Sequence, residues 1–251
     1  MIADTNRNHG PGRILRGLGA IALGTALCAL PRVPMADTPT QPKPLQIGII
    51  GAGKIGGTLG ELWVKAGHEV LLSSRHPEEL KPLADRLGPL AHTGTVREAA
   101  AFGEVVLIAV PYGAMPQVGR DFAGELKGKI VLDTGNPVAR RDGPMADVAR
   151  SKGTGVASAE FLPGVRLVRA FNSFSYMTMR SEAHRAGEQI GIPLAGDDRD
   201  ALEVAARLVR DAGFEPVVAG PLARAKEFDL GMPCAGAMTA RELKQCLHLA
   251  P

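Results

Sequence analysis

The chain has 251 residues, 45% of them hydrophobic and 22% charged, enough for one well-cored α/β domain with a small appendage. Aromatic residues make up only 4%, which argues against base-stacking platforms for single-stranded nucleic acid. The formal charge of +3 is carried by residues 1–36, where Arg7, Arg13, Arg16 and Arg32 face Asp4 alone; the remainder is neutral, and no basic nucleic-acid surface is expected.

Residues 1–36 have the layout of a secretory signal peptide: arginines, then the uncharged run "GLGAIALGTALCAL", then "PRVPMA", with cleavage expected after Ala36. The run is shorter than the ~20 residues that span a bilayer, so no stable membrane span is expected. The expected location is periplasmic or otherwise exported; a cytoplasmic protein whose apolar start packs on the domain is the alternative. Residues 37–44, "DTPTQPKP", form a Pro-rich linker, and 45–251 form the folded domain.

From there apolar runs of strand length alternate with helical segments. A strand over 45–50 leads into glycines and a helix over 54–66, and "EVLLS" (69–73) is a second strand. Pro77 opens a helix to 87, with Glu78 and Glu79 in its first turn, where acids complement the dipole. A short helix over 96–102 precedes "EVVLIAV" (104–110) and, after a helix over 112–123, "KIVLD" (129–133). Wholly apolar runs of this kind suit strands buried on both faces of a parallel sheet. Further strands are expected at 165–171, 189–196 and 215–220, a helix at 200–211, and a closing helix capped by Thr239 with Glu242 three residues on. The fold class is α/β: a doubly wound, mostly parallel sheet of the Rossmann type with a small C-terminal α/β elaboration.

The stretch Gly51, Ala52, Gly53, Lys54, Ile55, Gly56 spells G-x-G-x-x-G directly after a strand and at the start of a helix. Gly51 permits the tight turn, Gly53 lets backbone approach a pyrophosphate, and Gly56 lets the helix pack closely on the strand. Amides at the helix start then face the anion. The second strand ends in "SSRHP", where an NAD-binding protein would place an acid on the ribose hydroxyls. Ser73, Ser74 and Arg75 offer two hydroxyls and a guanidinium instead, which selects NADP through its 2′-phosphate.

The segments "GIIGAGKIGGTLGELWVKAGHEVLLSSRHPEEL", "VVLIAVPYGA", "GKIVLDTGNPV", "VRAFNSF", "AGDD" and "GFEPVVAGPLARA" together resemble the coenzyme F420-dependent NADP oxidoreductases and related ferric reductases. The resemblance runs in order through most of 45–249. It implies that Ser74 and Arg75 hold the 2′-phosphate and that Val110 and Pro111 line the dinucleotide path. Asn136 and Pro137 would approach the nicotinamide, although both prolines could equally do no more than end their strands. Asn172 and Ser173 would face the second substrate or form a buried turn. It also implies hydride transfer between NADP(H) and a second redox partner, F420 or a flavin, and pairing of two copies into a homodimer.

That chemistry resides in the cofactors, so no catalytic acid or base is nominated. The histidines are scattered, and no metal site is expected. Cys234 and Cys246 lack metal or redox-motif spacing and are left open as a disulfide or two free thiols. Two other readings stand beside the main one: an NADPH-dependent reductase of a small molecule or ferric chelate, and a non-catalytic NADP-binding sensor or accessory protein.

Overall fold

The computed structural model describes residues 43–250. The expected leader lies outside them, as does most of the linker. No helix among the described residues is long and apolar enough to cross a membrane.

Eight strands form one sheet: β1 (Gln46–Ile50), β2 (Glu69–Ser73), β3 (Ala91–Gly94), β4 (Val105–Ile108), β5 (Ile130–Asp133), β6 (Arg166–Arg169), β7 (Gly191–Gly196) and β8 (Glu215–Gly220). Their order is β3-β2-β1-β4-β5-β6-β7-β8. Every neighbouring pair is parallel except β6 and β7, which run antiparallel. The chain winds outward from β1 in one direction and restarts at β4 in the other. The carboxyl ends of β1 and β4 therefore flank the switch-point crevice where such sheets bind ligands. This is the doubly wound, mostly parallel fold expected from the sequence.

The helices are α1 (Lys54–Lys65), α2 (Lys81–Leu87), α3 (Val96–Phe102), α4 (Met115–Asp121), α5 (Ala123–Leu126), α6 (Ala139–Asp142), α7 (Met145–Lys152), α8 (Thr154–Phe161), α9 (Tyr176–Glu182), α10 (Arg199–Asp211) and α11 (Ala240–Cys246). Tight 3-10 turns occupy Pro77–Leu80, Tyr112–Ala114 and Leu222–Glu227. Thr95 with Glu98, and Thr239 with Glu242, close reciprocal capping boxes at the starts of α3 and α11.

The strand period of two sorts β4 between two cores. Val105 and Leu107 join Ile49, Leu72, Leu132 and Trp63 on one face, while Val106 and Ile108 join Val131, Tyr112 and Leu162 on the other. Trp63 anchors α1: its indole donates to the Leu208 carbonyl at 2.9 Å and meets Phe171 edge-on. A third, smaller core of Val217, Phe228, Leu243 and Leu247 lies beside β7 and β8. A disulfide joins Cys234 to Cys246 there, settling the alternative the sequence left open.

Four expectations need correction. The helix over 112–123 is a 3-10 turn followed by α4 and α5, separated at Phe122. The strand over 165–171 ends at Arg169, and Phe171 takes a left-handed φ of 57° that no strand accommodates. β3 was not foreseen, because "AHTG" is four residues at a sheet edge with neither alternation nor β-branched apolar residues. Helices α6 to α8 were not foreseen either. Gly143 and Gly153, at φ of 66° and 87°, break that region into pieces too short to show a clear period.

Candidate functional site

The glycine loop sits at the switch point, and the space around each glycine shows what it contributes. Gly51 has φ of +98°, and a Cβ there would stand 2.7 Å from the Ala109 carbonyl oxygen, so the loop turns tightly against the end of β4. A Cβ on Gly56 would stand 2.2 Å from the Gly51 carbonyl oxygen, so α1 lies directly on the turn. A Cβ on Gly53 would meet nothing within 4 Å, so that backbone faces open space. The first bond inside the helix runs from the Gly57 amide to the Gly53 carbonyl at 2.8 Å. The amides before it, through Lys54 and Ile55 to Gly56, have no intrahelical carbonyl to bind.

A cleft of about 640 Å³ opens from this loop. Of the residues expected at the site, Gly51, Ala52, Gly53, Ser74, Arg75, Val110 and Pro111 line it. Arg75 is exposed and has no hydrogen-bond or ion-pair partner among the described residues. The Ser74 hydroxyl accepts the His76 amide at 3.0 Å, which shapes the turn around Arg75. Residues the sequence did not mark complete the walls: Leu80 at the end of the first 3-10 turn, Val96 on α3, and Gln117, Val118 and Phe122 on and after α4. Glu79 and Asp121 also border the cleft, so the absence of an acid holds for the end of β2 and not for the whole wall.

Ser73 has a different place from the one expected. Its side chain is fully buried and donates to the Ile49 carbonyl at 2.7 Å, while its own carbonyl accepts the Gly51 and Ala52 amides at 3.1 and 2.8 Å. It fastens the loop from behind instead of facing a ligand, because this last residue of β2 is buried against β1, outside the alternation that buries Val70 and Leu72. Ile55 and Gly56 likewise pack against the interior, whereas Lys54 points outward.

Asn136 and Pro137 do not line the cleft. They lie beyond β5 and meet the corner after β6. The Asn136 amide nitrogen donates to the Asn172 carbonyl at 2.7 Å, and the Asn172 amide nitrogen to the Phe228 carbonyl at 3.2 Å. Carbonyl partners fix both side-chain amides, which leaves both Oδ1 atoms as acceptors without a partner among the described residues; the buried Ser173 hydroxyl also has none there. Buried polar atoms in this state cost ~1–3 kcal/mol each unless something binds them.

Below this corner lies a charged network that the sequence did not reveal. Arg169 is fully buried and donates to the Asp133 carboxylate at 2.8 Å, the Gly135 carbonyl at 2.7 Å and the Asp229 carboxylate at 3.3 Å. Burial works against the guanidinium's charge, but the two carboxylates outweigh it and hold its pKa above the ordinary value. Tyr112, buried beside Ser158, has its phenol pushed up to about 12, chiefly by burial, and stays neutral. Asp142 ties the loops after β4 and β5 together by accepting the Gly113 and Val138 amides at 3.0 and 2.8 Å. Its carboxyl is lowered to about 2, first by the Arg141 hydrogen bond and further by those amides.

Residues 46–137, which hold the glycine loop, the Ser74–Arg75 turn and the loop of Asn136, match the family model described as "NADP oxidoreductase coenzyme F420-dependent". Over that stretch, somewhat more than a third of its length, the chain is similar to that family. Over 196 residues it is 28% identical to the F420-dependent NADP reductase of Methanothermobacter thermautotrophicus, covering 72% of this chain and 84% of that protein. It is 28% identical over 199 residues to the metalloreductase STEAP3 of Rattus norvegicus, covering 78% of this chain but only 37% of that protein's length. A solved structure of a hypothetical protein from Sinorhizobium meliloti superposes with a TM-score of 0.69 at 27% identity, covering 78% of this chain and 96% of that one. The family is one of NADP-dependent oxidoreductases.

Proposed function

We propose that this protein binds NADP(H) in the cleft and transfers hydride between it and a second redox partner of the deazaflavin or flavin type. The observation that carries the nucleotide assignment is Arg75, an exposed guanidinium on the cleft wall without a partner among the described residues. It stands where an NAD site would carry an acid. The glycine loop fits the pyrophosphate, since Gly53 leaves open space where a side chain would intrude. The apolar wall of Leu80, Val96 and Phe122 fits the adenine. The unpartnered Oδ1 atoms of Asn136 and Asn172 fit the NH2 of a carboxamide, which supports a nicotinamide at that end.

Bound NADPH would supply the hydride. The work left to this chain is positional: Gly51–Gly56 hold the diphosphate, Ser74 and Arg75 the 2′-phosphate, and Val110 and Pro111 the path between. Asn136 and Pro137, with Asn172 and Ser173, fix the ring. The likeness to a metalloreductase favours a ferric chelate as the second reading of the acceptor. The Cys234–Cys246 disulfide supports the exported location expected from the leader.

Calorimetric titration of the purified protein with NADP and NAD tests the assignment. NADP is expected to bind more tightly. Arg75→Ala should weaken NADP by ~1.5–3 kcal/mol, the range for a charged hydrogen bond, and leave NAD unchanged. Equal affinity for the two nucleotides in the unaltered protein would sink the 2′-phosphate argument. NADPH oxidation assayed with F420, FMN and ferric chelates separates the acceptors, and binding without turnover of any of them would favour the sensor reading.

A further inference from the structure

Helix α9 follows the Asn172–Ser173 corner at once and packs against the first turns of α1. Its first residue, Tyr176, presents its ring to two cations from different helices. The Lys54 ammonium stands 5.3 Å from the ring centroid and the Arg180 guanidinium 5.9 Å. Arg180 is oriented by its Nε, which donates to the Thr58 hydroxyl at 3.2 Å, and this leaves its two terminal NH2 groups facing outward. Among the described residues neither cation has a carboxylate within ion-pair distance. Four other arginines, Arg141, Arg166, Arg169 and Arg185, each hold one. Two like charges converging on one ring repel each other, and cation–π attraction to a ring that is only half-buried offsets ~0.5–1 kcal/mol apiece. An anion set between them would relieve that repulsion and accept hydrogen bonds from both.

We propose that Lys54, Tyr176 and Arg180 form the docking point for the anionic tail of the hydride acceptor, so that the acceptor is a planar redox ring carrying a phosphate or carboxylate group. The inference rests on the reading that NADP(H) fills the cleft. The placement favours the acceptor over the nucleotide's own diphosphate. Tyr176 and Arg180 come from α9, and neither borders the cleft lined by Gly51–Gly53, Ser74 and Arg75. They stand instead three to eight residues beyond the corner whose buried acceptors, Asn172 Oδ1 and Ser173 Oγ, have no partner among the described residues. A ring stacked against the nicotinamide at that corner would direct its substituent chain toward α9.

FMN and riboflavin share one ring system and differ by a phosphate, which makes them the probes. The full-length protein, saturated with NADP, is titrated with each by flavin fluorescence, and NADP affinity is measured separately by calorimetry. FMN should bind about tenfold or more tightly than riboflavin, as expected of a charge-assisted contact. In Arg180→Ala the preference should fall to within about twofold while NADP affinity stays unchanged, and Arg180→Lys should retain most of it. Arg180 is exposed, and an unchanged melting temperature would show that the variant is folded. The proposal is overturned by equal binding of the two flavins, by no binding of either, by a preference that survives Arg180→Ala, or by a loss of NADP affinity as large as the loss of FMN affinity. Failure of NADP itself to bind would instead refute the nucleotide assignment.

Discussion

Replacing Gly53 and Gly56 separately by alanine should divide binding from stability within a single loop. At Gly56 the new Cβ would lie 2.2 Å from the Gly51 carbonyl oxygen and 3.0 Å from the Ile49 side chain. Ordinary contact begins near 3.4 Å, so α1 must retreat from the turn by about 1 Å. Forcing an extra carbon into such packing costs ~1–3 kcal/mol, and the retreat draws the first-turn amides away from the phosphate as well. At Gly53 the same methyl meets nothing within 4 Å, and the backbone, at φ −75° and ψ −149°, lies only about 30° past the extended region open to alanine. Stability should change there by ~1 kcal/mol or less. The methyl, however, enters the open space assigned to the diphosphate, so NADP affinity should fall at least tenfold. Urea denaturation followed through the buried Trp63, paired with NADP calorimetry, reads both quantities. Gly53→Ala binding NADP as well as the unaltered protein, or Gly56→Ala with unaltered stability, would refute the account of this loop.

Two further substitutions test the frame beneath the site. Arg169→Met leaves the Asp133 and Asp229 carboxylates facing each other without their buried partner, and should cost ~3–5 kcal/mol in a denaturant titration; a loss under 1 kcal/mol would mean that the network is hydrated. Asp142 has a carboxyl lowered from 3.8 to about 2, so the stability it contributes is complete above pH 4 and is lost as the pH falls toward 2. The stability gap between the unaltered protein and Asp142→Asn should therefore narrow through that interval, and a gap independent of pH would contradict the assigned cause.

The nucleotide half was legible because its signals are local. A glycine spacing, an apolar strand before it and the three residues ending β2 all lie within thirty residues of one another, and each residue type has one backbone or charge requirement to meet. Ser73 is buried directly after the buried Leu72, where β2 departs from alternation, and a period of two cannot signal that. The far half was not legible for the opposite reason. Lys54 and Arg180 meet on Tyr176 across more than a hundred residues, and Arg169 joins Asp133 to Asp229 from three separate segments. No spacing rule announces a contact made only by tertiary folding. Edge strand β3 and the short helices after β5 were missed because four to eight residues carry too few repeats to establish a period.

The reversal at β7 determines how this protein can change. Strands β1 to β6 open their carboxyl ends on one rim of the sheet, whereas β7 and β8 open theirs on the opposite rim. The last third of the chain therefore reaches the ligand side only through connections: the corner after β6, helix α9, and the returning segment that brings Phe228 and Asp229 back beneath Asn172 and Arg169. Connections accept substitution and insertion more readily than strands do. If NADP(H) occupies the cleft as proposed, selection acting on those segments would retune the electron acceptor and leave the strands that seat the dinucleotide undisturbed, so the two halves of one redox reaction would evolve at different rates within a single sheet.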